Sequence, residues 1–299
     1  MRLAGIDIGS NAARLLIVDV QRKRGNNLVF NKVNLVRVPL RLGFDVFKTG
    51  MISDERREML INTMMAFKNL MNAYSVEGVK ACATSAMRDA GNSKYIIKDV
   101  KKKAGIDIEI ISGDMEAALV FENHIAEKLD KKKSYLYIDV GGGSTEVDFF
   151  VEGKQVFQRS FNIGTIRLLQ HQVKQADWAA FEKEIKKNIK SALPVTAIGS
   201  GGNINKVFSL SKAKDGVPLE LGRLRSFYKI LSALSIEQRM EQYALKPDRA
   251  TVIEPAQDLS LKILHWTHAK EIIVPKIGVS DGLVHELYNE RTRKISNNK

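Results

Sequence analysis

Apolar runs separated by short polar stretches predict strands at intervals along both halves of the chain. Residues 3–8 and 15–18 form two such runs, and 28–35 reads as a third strand, set off by the turn residues Gly25, Asn26 and Asn27, which completes a meander. A loop at 41–43 follows. Ser53, Asp54 and Glu55 then start a helix in which Met59, Ile61, Met64, Met65, Phe67, Leu70 and Met71 recur at helical spacing, the methionines serving as core filler. Strand 79–83, loop 84–92, helix 93–103, strand 106–111 and a helix from 112 towards 128 complete the first half. The second half has strands at 135–138, 147–151, 154–161 and 195–198, and helices near 178–191, 204–211, 224–231 and 236–243. Pro247 to Ala250 breaks the helical pattern, after which helix 258–269, strand 272–275 and helix 281–290 precede a polar tail at 294–299, expected to fray. A meander followed by α/β alternation implies an α/β protein with mixed sheets covered by helices.

Glycine punctuates the ends of three of these strands. The strand at 135–138 runs into Asp139, Val140, Gly141, Gly142, Gly143, Ser144, Thr145 and Glu146, and then into the next strand. Glycines lack a Cβ and let backbone N–H groups approach an anion such as phosphate, while Ser144 and Thr145 add hydroxyl donors. Asp139 and Glu146 are hard oxygen ligands of the kind Mg²⁺ takes. The order strand, loop, strand separates this segment from a Walker loop and from the dinucleotide fingerprint, which a helix follows. A second copy, Asp7, Ile8, Gly9, Ser10 and Asn11, stands nearly half a chain length earlier, so two similar halves are expected to face each other with a loop from each entering a cleft. A third glycine loop, Gly199, Ser200, Gly201 and Gly202, follows strand 195–198 and opens a helix whose N-terminus suits an anion.

Composition sharpens this picture in a few places. A length of 299 residues with 44% hydrophobic content supports two domains, taken as 1–123 and 124–299, with the last helix free to pack back on the first. No apolar run reaches membrane-spanning length, and the chain opens on a core strand, so a cytoplasmic protein without a membrane partner is expected. Cys82, the single cysteine, lies in an apolar run and reads as a core residue. The net charge of +13 favours polyanions without choosing among them, and no sequence-specific nucleic-acid motif is present. His265 and His268 have no third metal ligand nearby in sequence and read as ordinary histidines. The lysine triplets at 101–103 and 131–133 each precede a strand whose far end carries a functional loop, which makes them solvated turns at the back of the sheets. Glu116, in the first turn of a helix capped by Ser112 or Asp114, has two readings: a favourable partner of the helix dipole, or a general base.

Four motifs then acquire a common meaning. The segments beginning at Asp7, at Ala83 (through Arg88), at Ser112 (through Glu116) and at Asp139 (through Glu146) resemble, in order and spacing, those of the exopolyphosphatase/guanosine pentaphosphate phosphohydrolase (Ppx/GppA) family. Asn162 to Leu168 and Gly199 to Gly202 resemble its further loops. The resemblance implies two ribonuclease H-like domains of the actin/sugar kinase/Hsp70 superfold around a central cleft. It implies Mg²⁺-dependent release of terminal phosphate from polyphosphate or guanosine pentaphosphate, by a homodimer. It makes Glu116 the general base, with Asp139 and Glu146 placing Mg²⁺ and the attacking water. Ser10, Asn11 and Arg88 would hold phosphate from one domain, and Gly141, Gly142, Gly143, Ser144, Thr165, Ser200 and Gly201 from the other. Met115 stands where the family commonly has a second acid, and Asn203 where a hydroxyl residue is usual. The chain stops after the two-domain core, so a short phosphate path is expected. An ATP-dependent kinase of the same superfold and a weakly catalytic sensor of polyphosphate or guanosine tetraphosphate are the alternatives.

Overall fold

The computed structural model describes residues 1–22, 28–121, 130 and 132–297, arranged in two compact units, one of residues 1–124 and 278–299, the other of residues 125–277. The turn at Gly25 to Asn27, the helix beyond 121 and Lys131 lie outside the described residues.

The first unit is built on five strands, β1 (Arg2–Ile8), β2 (Ala12–Arg22), β3 (Leu28–Pro39), β4 (Gly78–Ala83) and β5 (Glu109–Ile110), in the order β3-β2-β1-β4-β5. β1 pairs antiparallel with β2 and parallel with β4, and it is buried almost throughout because it lies inside the sheet. β3, at the edge, has mostly exposed or half-buried side chains. This is the ribonuclease H-like strand order. Only Glu109 and Ile110 of the expected strand 106–111 pair with β4, although Ile106, Ile108 and Ile111 are buried. Helices α1 (Leu42–Thr49), α2 (Asp54–Ala73), α3 (Ser85–Asp89), α4 (Ser93–Ala104), α5 (Gly113–Phe121) and α12 (Val279–Asn297) complete the unit.

Two segments of this unit expected to be loops are helical. Residues 42–43 open α1, because Arg41 turns the chain through the left-handed region and Val46 and Phe47 bury one face before Gly50 ends the helix in the same region. Residues 85–89 form the single turn α3, whose Ser85, Ala86 and Met87 are buried. Ser53 caps α2 by accepting from the Arg56 N–H. Of the methionines assigned to its core face, Met64 and Met71 are buried whereas Met59 and Met65 are exposed. The triplet Lys101 to Lys103 occupies the last turn of α4 rather than a turn between elements, where cations meet the negative end of the helix dipole.

The second unit repeats the plan. Strands β6 (Ser134–Val140), β7 (Thr145–Val151), β8 (Lys154–Phe161), β9 (Val195–Ser200), β10 (Leu219–Glu220) and β11 (Glu271–Ile273) run in the order β10-β11-β9-β6-β7-β8. β8-β7-β6-β9-β11 therefore reproduces β3-β2-β1-β4-β5 in order and in direction of pairing, with β10 added at one edge. The helices are α6 (Thr165–Leu169), α7 (Gln175–Asn188), α8 (Gly202–Leu210), α9 (Leu221–Ala233), α10 (Ile236–Tyr243) and α11 (Pro247–Trp266). The segment at Pro247 starts α11 instead of breaking the pattern, because a proline in the first turn sacrifices no helical hydrogen bond. Pro255 lies inside this helix. Its cost of roughly 3 kcal/mol is offset by the buried stripe of Val252, Ile253, Leu259, Ile263 and Leu264, each worth roughly 1.5–3 kcal/mol by transfer. Among the described residues no helix is long and apolar enough to cross a membrane.

The last helix belongs to the first unit. α12 runs to Asn297, into the polar tail, and it packs on β1, β4 and α5. Val284 and Tyr288 join Leu3, Leu16, Val18 and Val20 in one apolar cluster. Its close approach depends on glycine: a Cβ on Gly5 would lie 2.3 Å from the Ser280 carbonyl oxygen, and one on Gly282 would lie 2.1 Å from that of Leu119. An exchange of glycine for alanine inside a helix ordinarily stabilises by up to about 1 kcal/mol. Here the backbone collision outweighs that gain, so Gly282→Ala is expected to destabilise by ~1–3 kcal/mol in urea unfolding. Gly222→Ala, whose Cβ would enter open space on α9, is the control and is expected to be neutral or mildly stabilising.

Candidate functional site

In the second unit, the β6–β7 hairpin carries the central glycine loop. The Gly141 N–H donates to the Ser144 carbonyl at 2.9 Å and closes the turn. Asp139 and Glu146 are direct cross-strand partners, which puts their side chains on one face of the sheet, and both are buried. On the same face the Tyr137 hydroxyl donates to Asp139 Oδ2 at 3.3 Å, and the Ser160 hydroxyl donates to Glu146 Oε1 at 2.8 Å. Burial, aided by the Asp139 charge, pushes the Tyr137 hydroxyl pKa well up and keeps it a donor. Gly201 passes over the other oxygen of Asp139: its φ is +92°, and a Cβ there would lie 2.5 Å from Oδ1. The third glycine loop must therefore be glycine at this position for two reasons, conformation and space.

Helix α6 is docked on the central loop through its donors. The Thr165 N–H and hydroxyl both donate to the Gly141 carbonyl, at 3.1 and 3.3 Å. The Ile166 N–H donates to the Gly142 carbonyl at 2.8 Å, and Arg167 Nε donates to the Gly143 carbonyl at 2.8 Å. In a trans peptide the N–H points opposite to the C=O. Three successive carbonyls held by α6 thus turn the N–H groups of Gly142, Gly143 and Ser144 away from it, as an anion-binding nest requires.

The first unit holds a second set of loops. Asp7, buried on β1, is paired with Arg14 at 2.5 Å. The Ser10 hydroxyl accepts from the Ala86 N–H at 3.2 Å, which ties the first loop to the start of α3, and the Asn11 carbonyl accepts from the N–H groups of Leu40 and Arg41. Arg88 donates from Nη1 to the Ile111 carbonyl at 2.7 Å, which secures the strand end just before α5. There Ser112, not Asp114, caps the helix by accepting from the Met115 N–H at 3.2 Å, so Glu116 occupies the first turn of α5. Cys82 is buried, which pushes its thiol pKa well up; the charges of Asp7 and Glu116 add to the rise.

Asp139, Gly141 to Ser144, Glu146 and Gly201 thus belong to one unit, and Ser10 and Asn11 on the first loop, Arg88 on α3 and Glu116 on α5 to the other. The hydroxyls of two expected phosphate contacts donate within the protein. Thr165 is buried with its hydroxyl and N–H on Gly141, and the Ser200 hydroxyl donates to the Ile277 carbonyl at 3.1 Å. Two arginines emerge that the motifs had not singled out, Arg167 on the glycine loop and Arg249 on Asn203 of the third loop. Arg167 lies in the segment Asn162 to Leu168, two residues after Thr165, but nothing in that segment alone marks it as a partner of the glycine loop. His265 and His268 are exposed. Among the described residues no three His, Cys, Asp or Glu side chains come together as a metal cage. Mg²⁺ needs only one or two carboxylates plus phosphate and water, so the buried pair Asp139 and Glu146 fits it.

Two sheets of matching strand order, each with a glycine loop at the end of its first strand, place the chain in the actin-like superfold. Within it the chain belongs to the Ppx/GppA phosphatase family, whose model matches residues 19–290. It is 33% identical to a bifunctional 3-dehydroquinate synthase/phosphatase of Fusobacterium nucleatum over 91% of this chain and 44% of that protein. It is 25% identical to exopolyphosphatase 2 of Mycobacterium tuberculosis, over 96% of this chain and 98% of the relative. Exopolyphosphatase 1 of M. tuberculosis, 31% identical, is matched over 56% of this chain and 48% of its own length, so the chain spans about half of some relatives and nearly all of another. The crystal structure of the Aquifex aeolicus Ppx/GppA family member superimposes with a TM-score of 0.74 at 27% identity, covering 97% of this chain and 98% of that one. An exopolyphosphatase from Cytophaga hutchinsonii, at 23% identity and a TM-score of 0.85 over 97% and 98% of the two chains, shares the fold.

Gly164 has an extended backbone open to any residue, yet a Cβ there would lie 2.5 Å from both the Gly142 oxygen and the Gly143 carbonyl carbon. Gly164→Ala is therefore expected to push α6 off the loop, at a cost of ~1–3 kcal/mol in urea unfolding, with amide NMR shifts concentrated at 141–144 and 164–167.

Proposed function

We propose that this protein is a Mg²⁺-dependent phosphohydrolase that releases terminal orthophosphate from inorganic polyphosphate. The observation that carries the reading is the orientation of three consecutive glycine-loop peptides by α6 beside the buried pair Asp139 and Glu146. Membership of the Ppx/GppA phosphatase family and the exopolyphosphatase names of several relatives support it.

In this reading the N–H groups of Gly142, Gly143 and Ser144 take the equatorial oxygens of the terminal phosphoryl group, and Ser10, Asn11 and Arg88 are the phosphate-binding residues of the first unit. Ser10 accepts from Ala86, which leaves its own hydroxyl proton for a phosphate oxygen. Asp139 and Glu146 would hold Mg²⁺, whose bound charge neutralises the phosphate oxygens. Glu116 takes a proton from the attacking water as the new oxygen–phosphorus bond forms. The bridging oxygen–phosphorus bond breaks, and the shortened chain leaves with the electron pair on its terminal oxygen. The Thr165 and Ser200 hydroxyls donate to protein carbonyls and support the loops. Met115, 43% exposed beside Glu116 where an acid is common, favours a second reading, a catalytically weak sensor that binds polyphosphate or guanosine tetraphosphate.

The deciding experiment measures phosphate release from polyphosphates, guanosine pentaphosphate and ATP with and without Mg²⁺. Metal-dependent release from polyphosphate is expected, and tight binding with no release from any of them would overturn the reading. Glu116→Gln should lower kcat about 10²–10⁴-fold while polyphosphate still binds, because an amide keeps the shape and cannot accept the proton. Asp139→Asn should raise the Mg²⁺ concentration needed for half-maximal rate, checked by metal titration of the initial rate; an unchanged titration would remove Asp139 from the metal site.

A further inference from the structure

The three carbonyls of the central glycine loop are not held in the same way. Gly141 and Gly142 are held by backbone N–H groups of α6, which any sequence would supply once the helix is docked. The Gly143 carbonyl is held by a side chain, the Nε of Arg167, at 2.8 Å. The peptide between Gly143 and Ser144 therefore depends on one residue for its orientation, in a segment where the glycines impose no preference of their own. That peptide carries the Ser144 N–H, the last donor of the nest, next to Thr145 and Glu146.

We infer that Arg167 is a positioning residue for phosphoryl transfer: its guanidinium fixes the Gly143 carbonyl so that the Ser144 N–H faces the phosphoryl oxygen. The inference rests on the hydrolase reading above for its catalytic meaning and on geometry alone for its structural meaning. A guanidinium suits the task because Nε–H lies in a rigid plane and stays protonated, so the bond persists at any working pH. The loop needs no help from Arg167 to form, since the Gly141–Ser144 turn and the two backbone bonds from α6 remain without it. Loss of the side chain therefore frees one peptide to rotate and leaves the fold standing.

The test is Arg167→Met, which keeps the aliphatic stem and removes the donor. In the substrate-free protein the Ser144 amide resonance is expected to move and to exchange faster with solvent, while the Thr165 and Ile166 amides stay in place and the melting temperature stays near that of the wild type. With polyphosphate and Mg²⁺, kcat is expected to fall about tenfold or more, up to the 10²–10³-fold typical of losing an oxyanion donor, with a smaller change in KM. A Ser144 amide unmoved in the substrate-free variant overturns the inference. So does a rise in KM at constant kcat, which would make Arg167 a direct phosphate contact. If Arg167→Met does not fold, Arg167→Leu, which also lacks a donor, takes the same measurements. The amide readout needs no turnover, so a wild-type protein that releases no phosphate would remove the hydrolase reading while leaving the positioning of Ser144 to be judged separately.

Discussion

Helix α6 is only five residues long, yet the chemistry proposed for the second unit depends on where it sits. A glycine triplet in isolation is a floppy hinge, because each peptide has several orientations of similar energy. Fixing one residue's backbone costs roughly 1–2 kcal/mol, and a nest needs several N–H groups aligned at once. The donors of α6 meet this cost before any anion arrives, by pulling three carbonyls to one side. The helix can come so close only because Gly164 has no Cβ, and Thr145 anchors the approach by donating its hydroxyl to the Ile163 carbonyl at 2.6 Å. Preorganisation here is a property of carbonyl acceptors, although the functional groups are the amides.

The carboxylates show the same economy. Burying Asp139 and Glu146 is costly unless each carboxylate is hydrogen-bonded or paired. Tyr137 and Ser160 approach them from the sheet, and Gly201 leaves room on the opposite side of Asp139. In the first unit Asp7 is instead neutralised by Arg14. The two copies of the strand–Asp–glycine motif are thus topologically equivalent and electrostatically different. One acid is paired with a cation in the folded protein, and the other sits beside a second acid.

Much of this was legible in the sequence. Apolar runs ending in Asp and Gly located β1 and β6, and the repeat of that pattern announced two sheets of the same plan. What escaped notice was set by tertiary packing. α1 is short and depends on Arg41 adopting a left-handed backbone, and α11 runs through Pro255 because its buried face outweighs the missing bond. For the site, residue types pointed to glycine loops and acids, but the hydrogen-bond partner of a hydroxyl cannot be read from a motif. Thr165 and Ser200 carry the chemistry of phosphate ligands and spend it on protein carbonyls, whereas Arg167, silent in the sequence, faces the loop itself.

The return of α12 to the first unit has a consequence for synthesis. That unit is discontinuous: its sheet is complete once residue 110 has been made, but the helix that covers β1 and β4 lies beyond residue 278. On the ribosome the second unit, contiguous from 125 to 277, has its whole sequence available first. The unit translated earliest must wait with Leu3, Leu16 and Val18 lacking their cover from Val284 and Tyr288 until the last helix emerges. Among the described elements, the final one to be made is the lid on the first hydrophobic surface to appear, so premature termination anywhere before 278 leaves that surface open and prone to aggregate.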